Sequence, residues 1–246
     1  MAVLSALRRF IKGSQPDPQA DPAKMRVVGE RVRAHIAANP QITAIGGPKA
    51  DLFRLRGFLS ETECHNLIEV IDGKAQRSVL YSDKQAPPGR TSSTHFFEAG
   101  QKQAQALAAK IASVTGIDPV HAEPLQGQRY LEGQEYRRHC DFFHTDKPYW
   151  QVERRRGGQR SWTAMVYLNE VEEGGGTDFP ALDLTIAPEP GTLVLWDNMT
   201  RNGRPNRALV HAALPVTSGR KYVVTQWYRQ GEWSFSQRGG EVALTA

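Results

Sequence analysis

Apolar residues recur at helical spacing through the first half of the chain and in short alternating runs through the second. Met25, Val28, Val32 and Ile36 share one helical face, and Asn39-Pro40 ends that helix. It follows GSQPDPQADPAK (13–24), polar and proline-rich, which predicts a linker. DLFRLRGFL (51–59) alternates and predicts a strand. Ser60 and Glu63 have the spacing of a capping box and open a helix over about 61–72. Leu107, Ile111 and Val114 mark the buried face of a helix over about 101–115, with Gly116 as its C-cap. Between these helices, SVLYSDKQAPPGRTSSTHFF (78–97) predicts two strands joined by a long mobile loop over 82–90. From about 125 onward come LQGQRYL, HCDFF, SWTAMVYLN, LDLTIA, TLVLW, ALVHAAL and KYVVTQWY, runs rich in alternating or β-branched residues. Gly174-Gly175-Gly176 and Pro188-Glu189-Pro190-Gly191 punctuate them, and there is no tandem repeat. Helices first and strands later predict an α+β chain whose second half is a sandwich or jelly roll.

Composition narrows the class without choosing a function. The 246 residues are 39% hydrophobic and 23% charged, enough for an ordinary globular core. The two cysteines, Cys64 and Cys140, form no C-x-x-C pair, which excludes a disulfide framework and a zinc ribbon and fits a reducing, cytoplasmic setting. MAVLSALRRFIKG at the N-terminus is not a signal peptide, and no apolar run is long enough for a membrane span. As a helix it would place Leu4, Leu7 and Ile11 opposite its basic residues, a face for a membrane or partner, or simply a docked or frayed terminus. A net charge of +5 suits an acidic ligand or a nucleic acid and sets no fold.

The chemistry enters at RRHCDFFHTD (137–146). On a strand, residues two apart face the same way, so His139 and Asp141 can converge on one ion while Cys140 points away. His144 stands at odd spacing from both. A second strand, ALVHAAL (208–214), offers His211, with Leu209 and Ala213 on its face. Two histidines and a carboxylate make the facial triad that leaves open positions on Fe(II). The H-x-D pattern alone equally fits a salt-bridged surface pair. Ten residues after His211 comes Lys221, which on a strand shares a face with Val223, Thr225 and Trp227. A lysine on an inward face needs an anion, unless it sits at the strand's end and reaches solvent.

With RTSS (90–93), LQGQRYLEGQEYRRHCDFF (125–143), AMVYLNEVEEGGGTDFP (164–180) and LVHAALPVTSGRKYVVTQWY (209–228) in this order, the chain resembles the 2-oxoglutarate- and Fe(II)-dependent dioxygenases, and among them the prolyl 4-hydroxylases. The resemblance implies a double-stranded β-helix (jelly roll) core with helices packed on one side. It implies 51–235 as the dioxygenase domain; the residues themselves divide the rest into 1–24, an N-terminal segment and linker, and 25–50, a helical extension matching nothing familiar. It implies iron on His139, Asp141 and His211, and the distal carboxylate of 2-oxoglutarate on Lys221 with help from Tyr130 and Thr177. Trp227 would wall the pocket; read without the resemblance, Tyr130, Thr177 and Trp227 fit plain core packing. The implied reaction consumes 2-oxoglutarate and O2, releases succinate and CO2 and hydroxylates a C–H bond, with ascorbate as the expected reductant. The carboxylate of Asp141 argues for hydroxylation over halogenation. The loop Ser82–Arg90 matches a segment that closes over peptide substrate, making Arg90, Tyr81 and Trp150 substrate candidates, although Arg90 also fits a solvent-facing loop residue. Arg154-Arg155-Arg156 with Gly157-Gly158 is an unusual basic insert, either a solvated loop or a grip for an acidic protein.

Three other readings stay open. A nucleic-acid demethylase of the same superfamily fits the basic pI but not Lys221, and no base-stacking platform is evident, so nucleic acid is not expected. A hydroxylase of free amino acids shares the core, while the long loop before Arg90 favours a proline-containing peptide. A non-catalytic sensor with zinc or nickel in the triad is the third, against which Lys221 argues for a working co-substrate site.

Overall fold

The computed structural model describes residues 20–78 and 89–233. Tyr81, most of the predicted loop over 82–90, and the N-terminal segment before residue 20 lie outside the described residues. Helix α1 covers Pro22–Ala37, α2 Glu61–Lys74, α3 Lys102–Thr115 and the short α4 Trp150–Glu153. The strands are β1 Thr43–Ala44, β2 Leu52–Leu55, β3 Gln76–Arg77, β4 Ser93–Phe96, β5 Gln126–Tyr130, β6 Tyr136–His139 and β7 Arg160–Tyr167. They continue with β8 Glu173–Gly174, β9 Thr177–Phe179, β10 Leu184–Ile186, β11 Leu193–Asp197, β12 His211–Ala213, β13 Val216–Ser218 and β14 Lys221–Arg229. The larger sheet runs β1-β2-β11-β7-β14-β5-β4-β3, the smaller β10-β9-β12-β6, and β13-β8 form a ribbon.

Alternation along the long central strands builds two cores. Trp162, Ala164 and Val166 of β7 and Tyr222 and Val224 of β14 face the helices, against Val32 and Ile36 of α1, Leu67 and Ile71 of α2, and Leu107 and Ile111 of α3. Met165, Tyr167 and Val223 face the other way, against Phe179, Ile186 and Ala213 of the smaller sheet. Both faces of the larger sheet are therefore covered, which is why β14 is buried at every position and shows no polar alternation. The molecule is α+β, with helices on one side of the larger sheet and the smaller sheet on the other.

Several boundaries differ from the sequence-based expectation, each for a local reason. Helix α1 starts at Pro22, three residues inside the predicted linker, because the Ala23 N–H donates to Asp21 Oδ1 (2.8 Å) and proline suits the first turn. Its residues join the main core, and β1 pairs with β2, so 25–50 packs into the body of the molecule. Helix α2 has the full capping box of Ser60 and Glu63 and runs two residues further than predicted. Gly116, with φ 67°, closes α3. The strand predicted over 208–214 begins only at His211, because Asn206 caps a 3₁₀ turn over Arg207–Leu209. The strand predicted at HCDFF lies earlier and ends on His139. The basic run Arg154–Arg156 is a 3₁₀ turn continuing α4, and Glu153 between them is buried and paired with Arg229. Among the described residues, no helix is long and apolar enough to cross a membrane.

Candidate active site

The backbone brings the three metal-ligand candidates together at one end of the smaller sheet. His139, last in β6, pairs directly with His211, first in β12. Asp141 lies two residues past the end of β6, in a bend, and that bend aims it at the histidines. The ligand atoms of all three lie within 4.8 Å of one another. His139 Nδ1–H donates to the Arg137 carbonyl (2.8 Å) and His211 Nδ1–H to the Leu209 carbonyl (2.9 Å). Those bonds fix both tautomers with the Nε2 lone pairs turned inward. Asp141 Oδ1 stands 3.9 Å from His139 Nε2. Three acceptors thus face one another with no proton between them, an arrangement that a divalent cation satisfies and water does not.

Electrostatics agree with that assignment. Burial, and then the neighbouring His211, push the His139 imidazole down to about 3, so it is neutral and free to ligate. Burial alone would raise the Asp141 carboxyl, but His211, His139 and Arg160 outweigh it and hold the group below its ordinary value. Tyr136 stacks on His139 with centroids 3.5 Å apart and fixes the ring plane. His144 stays outside the cluster, with its Nε2 3.4 Å from Cys140 Sγ.

The same cavity continues to Lys221, and Tyr130, Thr177, Trp227 and Arg90 also line it. Lys221 is 1% exposed. Among the described residues no carboxylate lies in ion-pair range of it; the Tyr130 and Tyr167 rings, 5.3 and 5.5 Å from Nζ, are its only charge-stabilising neighbours. Burial therefore drops its pKa to about 7. Thr177 Oγ1 lies 2.6 Å from the Tyr167 hydroxyl, and Lys221 pairs in register with Tyr130. Arg90 is buried rather than solvent-facing. It donates to Ser92 Oγ (2.8 Å) and lies 5.2 Å from the Tyr136 ring, and its Nη2 has no hydrogen-bond partner among the described residues.

Trp150 is elsewhere. It opens α4, is 2% exposed, and packs on Phe143 at 6.4 Å instead of lining the cavity. A strand-adjacent tryptophan reads as a groove wall in sequence, but the turn into α4 carries it into the core.

One sequence pattern, that of the 2OG-Fe(II) oxygenase superfamily, matches residues 125–229. A probable prolyl 4-hydroxylase 6 of Arabidopsis thaliana is 31% identical over 204 residues, covering 73% of this chain and 68% of the relative. The viral collagen prolyl hydroxylase of Paramecium Bursaria Chlorella virus-1, solved with 2OG, superposes with a TM-score of 0.56 at 30% identity, over 75% of this chain and 98% of that one. The chain belongs to the prolyl 4-hydroxylase family of 2OG-Fe(II) oxygenases. A Trichoplax adhaerens prolyl hydroxylase solved with a hypoxia inducible factor peptide has the same fold at 16% identity and a TM-score of 0.55, over 88% of this chain and 94% of that one.

Within this oxygenase, sequence reasoning missed the groups that support the ligands. Tyr136 and Gln128 line the cavity beside Thr225. Gln128 stands two residues from Tyr130 on β5, so strand alternation was available as its signal, whereas Tyr136 stands three from His139, across the register shift between β6 and β12, where simple alternation gives none. Beneath Trp227, Arg160 lies 4.1 Å from its ring and pairs twice with the buried Glu123 (2.6 and 2.8 Å). Glu123 and Arg160 are far apart in sequence, and no local pattern joins them.

Proposed function

We propose that this protein hydroxylates peptidyl proline, consuming 2-oxoglutarate and O2 and releasing succinate and CO2, with Fe(II) on His139, Asp141 and His211. The observation that carries it is the buried Lys221, with no carboxylate partner among the described residues, sharing one cavity with the three candidate metal ligands. A dicarboxylate is the ligand that such a cavity lacks. When bound, the iron supplies the dioxygen activation and C–H oxidation that no protein side chain performs.

The residues divide the remaining work. His139 and His211, their tautomers fixed by backbone carbonyls, and Asp141 would hold the ion. Lys221, which shares the cavity with Tyr130 and Thr177, holds the far carboxylate of 2-oxoglutarate. Trp227 closes the apolar wall, braced by Arg160. Arg90 Nη2, unpaired among the described residues, is a donor for a carbonyl of the peptide. The prolyl substrate follows from the family, whose named relatives include collagen prolyl hydroxylase. Ascorbate is the expected reductant. The double-stranded β-helix reading is supported by strand order. β5, β6, β7, β9, β10, β11, β12 and β14 divide between β11-β7-β14-β5 and β10-β9-β12-β6, with the chain crossing from sheet to sheet. Two free cysteines suit a cytoplasmic, reducing setting.

The test is succinate formation by the iron-loaded protein with 2-oxoglutarate, ascorbate and air, with and without a proline-rich peptide. Peptide-stimulated succinate and a peptide heavier by one oxygen atom are expected, and His211→Ala should abolish both. Succinate that ignores the peptide would move the substrate to free amino acids. No succinate with metal bound would favour a sensor.

A further inference from the structure

We propose that Thr163 and Asn198 are positioning residues for the metal-binding carboxylate, forming a buried relay that commits one oxygen of Asp141 to the protein and leaves the other to the ion. The inference rests on the metal-site reading above. The Thr163 hydroxyl donates to Asp141 Oδ2 (2.8 Å), and Asn198 Nδ2–H donates to Thr163 Oγ1 (2.9 Å). Thr163 is 0% and Asn198 1% exposed, so neither bond competes with water.

The polarity of the relay follows from donor and acceptor counts. An amide nitrogen only donates, and a hydroxyl has one proton. With its oxygen occupied by Asn198, Thr163 can give that proton only to Asp141. Oδ2 is thereby taken, and Oδ1, the oxygen facing His139 Nε2, is the ligand atom. A carboxylate held this way binds through one oxygen and does not swing to chelate, which keeps the remaining positions on the ion open.

The relay is anchored at both ends before any metal arrives. Thr163 sits mid-strand in β7, opposite Trp196 of β11 and Trp227 of β14, both cavity residues. Asn198, one residue past β11, donates its backbone N–H to the Ser161 carbonyl (2.7 Å). Its own carbonyl accepts from the Asn206 N–H (3.0 Å). Among the described residues no other hydrogen bond reaches Asp141 Oδ2.

The experiment is titration of the metal-free full chain with Co(II), following its absorption spectrum and affinity without 2-oxoglutarate. Thr163→Val should weaken binding by roughly 10–100-fold, the range for loss of a group that orients a metal ligand, and should alter the Co(II) spectrum. Thr163→Ser should restore both. Asn198→Ala should weaken binding less, and should add nothing in the Thr163→Val background, because Asn198 acts only through the hydroxyl. Wild-type affinity and spectrum in Thr163→Val overturn the proposal. So does an equal penalty from Asn198→Ala in both backgrounds. If circular dichroism shows that Thr163→Val does not fold, Asn198→Ala alone decides, and unchanged binding there overturns the relay. Failure of the wild type to bind Co(II), or undiminished binding by His211→Ala, marks instead a failure of the metal-site reading.

Discussion

Lys221 is a charge buried without a counter-charge among the described residues, so its protonation depends on what enters the cavity. In the free protein its pKa falls from 10.5 to about 7 through burial. A bound dicarboxylate favours the ammonium and draws a proton in. Above pH 7, 2-oxoglutarate must therefore bind with proton uptake, and its affinity should fall by up to about tenfold per pH unit. Titration calorimetry in buffers of unlike ionisation heat reads that proton directly; binding with no proton exchange at pH 8 would contradict it. For the ligand-free chain the sign is opposite. The unfolded lysine holds its proton up to 10.5 and the folded one only to about 7, so stability rises with pH across that window. Lys221→Ala removes the charged partner and should raise the 2-oxoglutarate requirement by roughly 10–100-fold. Co(II) affinity in the same variant should be unchanged, because Lys221 touches none of the three ligands. A parallel loss of metal binding would place Lys221 in the metal site instead.

Among the elements, α2 and β5 approach closely, and the approach depends on Gly127. A Cβ built there would stand 2.4 Å from Ile71 Cγ1, 2.7 Å from Ile71 Cδ1 and 3.0 Å from Phe97 Cε2. Ile71 is fully buried in the helix-side core and has no room to withdraw. Gly127→Ala should therefore cost about 1–3 kcal/mol of stability, the usual range for overpacking a filled core. Chemical denaturation measures it, and Ile71→Val in the same chain should return part of the loss. A fully additive double variant would mean that the two side chains do not meet. The glycine was visible in LQGQRYL, but its purpose was not, because the helix that crowds it comes from more than 50 residues earlier. Legibility followed that division. Caps and alternation are local, so Ser60-Glu63, Gly116 and most strands were readable. Strand ends at the site were not. His139 and Asp141 have the spacing of two ligands on one strand, yet β6 stops at His139 and a bend presents Asp141. The three candidate ligands named from the sequence do come together, while the backbone that aims them depends on pairing with His211 across the sheet.

At the scale of the whole molecule, α1 is fastened to the strand that leads into the relay. Arg33 Nη1 donates to Asp51 Oδ2 (3.2 Å) and Asp197 Oδ2 (3.1 Å), joining the helix to the segment before β2 and the end of β11. Asp197 is 2% exposed. Burial pushes its carboxyl from 3.8 up to about 8, with Arg33 pulling the other way. An acid whose folded pKa is raised stabilises the protein below its unfolded value, and that contribution is lost as pH rises through the folded one. Without Arg33 the carboxylate form has lost its principal cation. Arg33→Met should cost about 1–3 kcal/mol at neutral pH, the penalty for stranding a buried polar group. The loss should deepen as pH rises through about 8, where the wild-type carboxyl ionises beside Arg33, and Asp197→Asn in the same chain should remove that dependence. Asn198 stands next to Asp197, but its backbone is held independently by Ser161 and Asn206. Arg33→Met should thus leave Co(II) affinity at the wild-type level below the unfolding transition. Thermal denaturation across pH, read beside Co(II) titration, separates the two possibilities. A stability loss alone makes α1 a clamp on the fold, whereas a matched fall in metal affinity would show that its grip on β11 also sets the position of Asn198, and through Thr163 the aim of Asp141.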